Sequence, residues 1–121
     1  MNSEMLDGRF TTRAATLADA QAATDLVNAC ARELLGHDTM DVTFLETDWA
    51  SPYCKPETNI RLVFDGDRLV GYAGAWIEAP AVAVYGWLHV RPSYRGQGIG
   101  PYLAAWQKDR VASAATALAP Q

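Results

Sequence analysis

RPSYRGQGIGPYL, residues 91–103, places Gly96, Gly98 and Gly100 at alternate positions between an apolar, strand-like run and an alanine-rich, helix-like one. Glycine inside either element costs roughly 0.5–1 kcal/mol against alanine, so three of them at one junction call for a reason. A helix begins with backbone N–H groups that lack intrahelical partners and with the positive end of its dipole. An anion placed there collects several hydrogen bonds at once, provided no side chains obstruct it. The glycines clear that approach. Pro101 fits too, because its missing N–H would have no intrahelical partner in a first turn. Arg95 adds a fixed positive charge suited to phosphate oxygens. A Walker loop is excluded, since Gly100 is followed by Pro101 and Tyr102 rather than by Lys and Ser/Thr. A dinucleotide fingerprint is excluded by the G-x-G-x-G spacing and by the antiparallel setting of the preceding strand.

Working outward, Phe10 to Ala14 reads as a first strand, and Thr16 with Asp19 as a capping box opening a helix. Leu17, Ala23, Leu26, Val27, Cys30 and Leu34 follow helical spacing and predict one buried face, with Gly36 as the stop. Thr43 and Glu46 repeat the cap pattern for a shorter helix through Phe44, Leu45 and Trp49, closed by Pro52. Residues 51–58 read as a loop. Ile60 to Phe64, an Asp65-Gly66 turn and Leu69 to Ile77 form a hairpin. After a turn at Ala79-Pro80, Ala81 to Val90 is a third antiparallel strand. A helix is predicted over Leu103 to Leu118, with Leu103, Trp106, Gln107, Arg110, Val111 and Ala114 on one face. The fold class is therefore α+β, in the order β-α-α-β-β-β-α with an antiparallel meander.

The chain has 121 residues, half of them apolar, and a net charge of -4. That suits one domain over residues 1–121 with one core. The mild acidity argues against nucleic acid as a partner. No apolar run is long enough for a bilayer, and MNSEMLDGRF lacks signal-peptide blocks, so a cytoplasmic protein without a membrane partner is expected. Cys30 and Cys54 are too few and too far apart for a disulfide framework or a zinc site, so no metal is expected. Cys30 reads as a buried thiol. Cys54 lies in the loop beside Lys55.

LHVRPSYRGQGIGPYL resembles motif A of the GNAT superfamily of N-acetyltransferases, whose core is Q/R-x-x-G-x-G/A. Arg95, Gly98 and Gly100 occupy the specified positions, and Val90, Pro92, Tyr94 and Leu103 match its usual surroundings. TTRAATLADA, with Arg13, Ala15, Thr16, Asp19 and Ala20, is similar to the family's opening, and FDGDRLVGYAGAWIE, with Val70-Gly71, to its hairpin. The resemblance implies a GNAT-like acyl-CoA N-acyltransferase fold and acetyl transfer from acetyl-coenzyme A to a small-molecule or peptide amine. It implies that the amides of Arg95, Gly96, Gln97, Gly98, Ile99 and Gly100 take the pyrophosphate, and the backbone of Leu88, His89 and Val90 the pantetheine arm.

GNAT domains normally continue past this helix with a strand, a helix and two closing strands, so the resemblance also implies a fold truncated after the motif A helix. The open edge at 81–90 would then pair with a second copy, as a homodimer, or with another chain. No catalytic residue is assigned: the position where some relatives carry a Glu is Val84. Strand alternation separates Val84, Gly86, Leu88 and Val90 from Tyr85, Trp87 and His89. His89 is read as a packed histidine facing the last helix, Glu78 as a turn carboxylate, and Tyr85 and Trp87 as core aromatics. Asp38, Asp41, Glu46 and Asp48, near Trp49 and Tyr53, either attract a cationic amine or form a solvated face. The alternatives to an enzyme are a non-catalytic coenzyme A-binding or sensing module and one lobe of a larger or tandem protein.

Overall fold

The computed structural model describes residues 6–78 and 83–118, so the expected turn at Ala79-Pro80 lies outside the described residues. Strands β1 (Phe10–Ala14), β2 (Ile60–Asp65), β3 (Arg68–Glu78) and β4 (Ala83–Val90) form an antiparallel sheet in the order β1-β2-β3-β4. Helices α1 (Ala20–Leu35) and α2 (Val42–Trp49) cover one face, and α4 (Ile99–Leu118) covers the other. Because both faces are covered, β2 and β3 carry nearly unbroken apolar runs. Ile60, Leu62 and Tyr72 pack toward α1 and α2, whereas Val63, Val70 and Ala73 pack toward Ile99 and Leu103 of α4.

A bulge in β3 sets this division. Val63 pairs with Gly71 and Phe64 with Leu69, which leaves Val70 as the extra residue. Leu69 and Tyr72, three positions apart, therefore reach the same face, which plain alternation forbids. The bulge also anchors the exit from β4: the Arg91 amide donates to the Val70 carbonyl at 2.8 Å, and Arg91 Nε to the Leu69 carbonyl at 3.0 Å. Next to it, a Cβ on Gly71 would lie 2.6 Å from Ile99 Cγ2 and 3.0 Å from Leu103 Cδ1. Glycine at this position lets the start of α4 sit directly on the sheet.

The opening signature forms as expected, with one refinement. The Thr16 amide donates to the Asp19 carboxylate at 2.8 Å, and a 3-10 turn over Leu17–Asp19 leads into α1. Both Arg13 NH groups donate to Asp19 at 2.8 Å, which with the Thr16 bonds holds that carboxyl below its ordinary range and ties β1 to α1. Gly36 ends α1 at φ 85, in the left-handed region.

Several expectations are corrected. Leu17, in the 3-10 turn before α1, and Leu34, in the last turn of α1, are exposed, at 54% and 82%, because the sheet covers α1 along its middle. Phe44 is exposed as well. Asp41, not Thr43, caps α2, accepting from the Thr43 amide at 2.8 Å; its carboxylate suits the positive helix end. α2 stops at Trp49, before Pro52, and the expected loop contains a short helix, α3 (Pro56–Asn59), which Pro56 opens with its preset φ. The two-residue turn is Gly66-Asp67, one position later than expected, with Gly66 at φ 61 as the first central residue. α4 begins at Ile99 rather than Leu103, since Gly100 and Pro101 lie in its first turn.

Candidate functional site

The chain leaves β4 through a 3-10 turn at Pro92–Tyr94 and then reverses at the glycines. Arg95 at φ -67, ψ 151 followed by Gly96 at φ 81 is type II turn geometry, whose third position admits little besides glycine. Gly98 at φ 89 makes the second left-handed step and then caps α4: its carbonyl accepts from the Tyr102 amide at 3.1 Å. The amides of Gly98, Ile99 and Gly100 have no hydrogen-bond partner among the described residues. The Ile99 side chain is buried against the sheet, which fixes the orientation of that turn.

Beside these donors lies an open concavity of about 340 Å³, lined by Val90, Arg95, Gly96, Gly98, Gly100 and Pro101. A Cβ at Gly96 would touch nothing within 4 Å, and one at Gly100 would come no closer than 3.8 Å to Val90 Cγ2. The glycines thus keep the mouth of the helix open; at Gly96 and Gly98 they also serve the positive φ. Arg95 departs from the expected role: its guanidinium pairs with the Glu33 carboxylate of α1, and both are about half exposed. Gln97 is exposed.

On β4, Leu88 and Val90 pack toward α4 with Ile99 and Leu103. His89 lies on the opposite face, so its expected position against the last helix is corrected. Its ring stacks on Tyr72 with centroids 5.9 Å apart, and burial pushes its pKa down. Tyr72 faces α1 and α2 because of the bulge, and His89 is its register partner. The β4 backbone is the outer strand of the sheet among the described residues. The Cys30 thiol donates to the Val90 carbonyl at 3.3 Å, and burial raises its pKa.

Gln107 was legible as a residue of the α4 face but not by its role. Its Nε2 donates to the carbonyls of Gly74 at 2.8 Å and Trp87 at 2.9 Å, bridging β3 and β4. A Cβ at Gly86 would lie 2.3 Å from that nitrogen, so glycine there admits the bridge.

A second cavity, of about 120 Å³, opens between α2 and the sheet. Leu45, Asp48 and Trp49 line it from α2, Tyr72 and Trp76 from β3, Trp87 from β4, and Met40 from the preceding loop. Trp87 thus both packs against the core and forms a wall. Trp49 Nε1–H donates to the Tyr72 hydroxyl at 3.0 Å, and burial raises the Tyr72 pKa. Of the carboxylates singled out in the sequence, Asp48 lines the cavity; Asp38 pairs with Arg32, Asp41 caps α2, and Glu46 is exposed. Cys54 is fully buried and its thiol pKa is pushed up to about 12, so it is not a nucleophile. The side chains of Glu78, Val84 and Tyr85 lie outside the described residues. Among the described residues no cluster of metal-ligating side chains occurs, and no helix is long and apolar enough to cross a membrane.

The model of the Acetyltransferase (GNAT) family matches residues 20–115. No curated protein matches the sequence significantly. Among solved structures, a GCN5-related N-acetyltransferase from Sphaerobacter thermophilus superimposes with a TM-score of 0.83 at 26% identity, over 96% of this chain and 36% of that one. The yncA protein of Salmonella typhimurium, solved with its cofactor acetyl-CoA, gives 0.66 at 19% identity, over 88% and 65%. Diaminobutyrate acetyltransferase EctA from Paenibacillus lautus, in complex with L-2,4-diaminobutyric acid and coenzyme A, gives 0.66 at 14% identity, over 90% and 61%. The chain therefore spans less than two thirds of each of these proteins.

Proposed function

The chain belongs to the GNAT acetyltransferase family, and on that premise we propose that it transfers an acetyl group from acetyl-coenzyme A to the nitrogen of an amine. The observation that carries this reading is the set of unpartnered amides at Gly98, Ile99 and Gly100 at the start of α4, where Gly98 and Gly100 line an open concavity. Main-chain donors at a helix start suit a diphosphate, and the absence of side chains at the three glycines fits close approach of its oxygens. When bound, acetyl-coenzyme A supplies the acyl group as an activated thioester.

The rest falls to this chain's residues. The amides of Gly96 to Gly100 hold the diphosphate, since the Arg95 amide already donates to the Pro92 carbonyl, and the outward main-chain groups of Leu88 to Val90 hold the pantetheine arm as a partial added strand. Their donors fix the carbonyl against the incoming nitrogen and favour the charge that develops on its oxygen. Trp87 stands three residues before Val90 on β4, about 10 Å along an extended strand. That spacing carries the arm from the glycine junction toward the second cavity, which holds the amine.

Isothermal titration with coenzyme A tests the first part. Binding to the full chain that is lost in Gly98→Glu is expected. No heat, or heat unchanged by the substitution, overturns the reading. Release of free thiol with an amine panel then tests transfer; binding without transfer favours a coenzyme A-sensing module, a reading that draws on the packing of His89 against Tyr72.

A further inference from the structure

The cavity between α2 and the sheet has a composition more specific than an amine site requires. Leu45 and Trp49, one helical turn apart, face the sheet, and Asp48 beside them lines the same opening. The Asp48 carboxylate is half-buried, and among the described residues it has no ion pair and no side-chain hydrogen bond. Removing part of a carboxylate's hydration without a compensating partner is unfavourable. A ligand cation would supply the partner.

The surrounding walls suit the same cation. Trp49 stands edge-to-face on Tyr72 at 5.8 Å, and Tyr72 on Trp87 at 6.2 Å, while Trp76 leans on Tyr53 at 5.8 Å. Ring faces attract an ammonium through their quadrupoles, and most strongly when the site is partly desolvated. Met40 and Leu45 add apolar surface with no further charge.

We infer that this cavity recognises a small organic ammonium on an apolar body, such as an arylalkyl or branched alkyl amine, with Asp48 pairing its charge and the tryptophans enclosing its carbon skeleton. A zwitterionic amino acid fits poorly, because its carboxylate would meet Asp48 and the ring faces. Recognition of the ammonium is independent of the transferase reading; its role as acetyl acceptor rests on that reading.

Tryptophan fluorescence of the full chain, titrated with benzylammonium chloride in the absence of coenzyme, tests the inference. Saturable quenching is expected, with about tenfold weaker binding in Asp48→Asn, the scale of one cation contact. Benzyl alcohol is expected to bind more weakly and equally to both proteins. Trp76→Leu provides a second variant, expected to weaken benzylammonium while Trp76→Phe largely retains it. Equal binding of benzyl alcohol and benzylammonium, or no effect of Asp48→Asn in a protein of unchanged circular dichroism, overturns the inference. If benzylammonium binds and coenzyme A does not, the transferase reading fails and the cavity assignment stands. If amines are acetylated with no change in KM in Asp48→Asn, the transferase reading stands and the cavity assignment fails.

Discussion

The glycine junction and the α2–sheet cavity present two ways of building a site. At the junction the useful groups are main-chain amides, and the sequence contributes by leaving atoms out at Gly96, Gly98 and Gly100. In the cavity the useful groups are four aromatic rings and one carboxylate, brought together from α2, β3 and β4. A site of the first kind is damaged by adding atoms, and one of the second kind by removing them. Each also depends on support from elsewhere: the junction on Gly71, which seats α4, and the cavity on the bulge that turns Tyr72 toward α2.

The largest expected effect sharpens this contrast. Gly98→Glu sets a side chain at φ 89 and a negative charge at the helix mouth; coenzyme A affinity should fall on the order of a hundredfold while the fold survives. Titration calorimetry beside circular dichroism reads both, and retained affinity would break the comparison. Gly71→Val comes next. Its Cβ would meet Ile99 and Leu103, and urea unfolding should show a loss of about 1–3 kcal/mol, typical of overpacking. Gln107→Ala removes the bridge between the Gly74 and Trp87 carbonyls and should cost about 1–2 kcal/mol in the same measurement.

The pH dependence is smaller. His89 has a folded pKa below its ordinary 6.5, so the unfolded chain takes up the proton first. Its contribution is complete above that value and is lost as pH falls from there toward the depressed folded pKa. Thermal unfolding between pH 7.5 and 5 should show a decline that His89→Gln reduces; an unchanged slope would remove His89 as its source. The smallest effect belongs to Glu33→Gln. Freeing Arg95 from its exposed ion pair should tighten coenzyme A binding a few-fold in low salt and hardly at all in high salt.

Much of the architecture was legible because it is encoded locally. The Thr16–Asp19 box, the Gly36 stop, the β2–β3 hairpin and the order of elements all rest on residues within a few positions of one another. The misreadings share a different origin. Leu17 and Leu34 keep helical spacing yet are exposed, since spacing defines a face but not how far a neighbour extends along it. Alternation along β4 separates His89 from Leu88 and Val90 without saying which helix covers which face. Cys54 sits among loop-forming residues, and the packing of distant segments buries it.

The sequence by itself determined the backbone of the candidate coenzyme site. Glycine alone takes the left-handed conformations at Gly96 and Gly98 without strain, and a helix start offers free amides whatever packs around it. Tertiary structure decided which of the flagged carboxylates meets the aromatic walls. Asp38, Asp41, Glu46 and Asp48 look alike along the chain, and Asp48 lines the cavity because α2 folds against β3 and β4. A charge takes its meaning from its surroundings, and those surroundings come from residues far away in sequence.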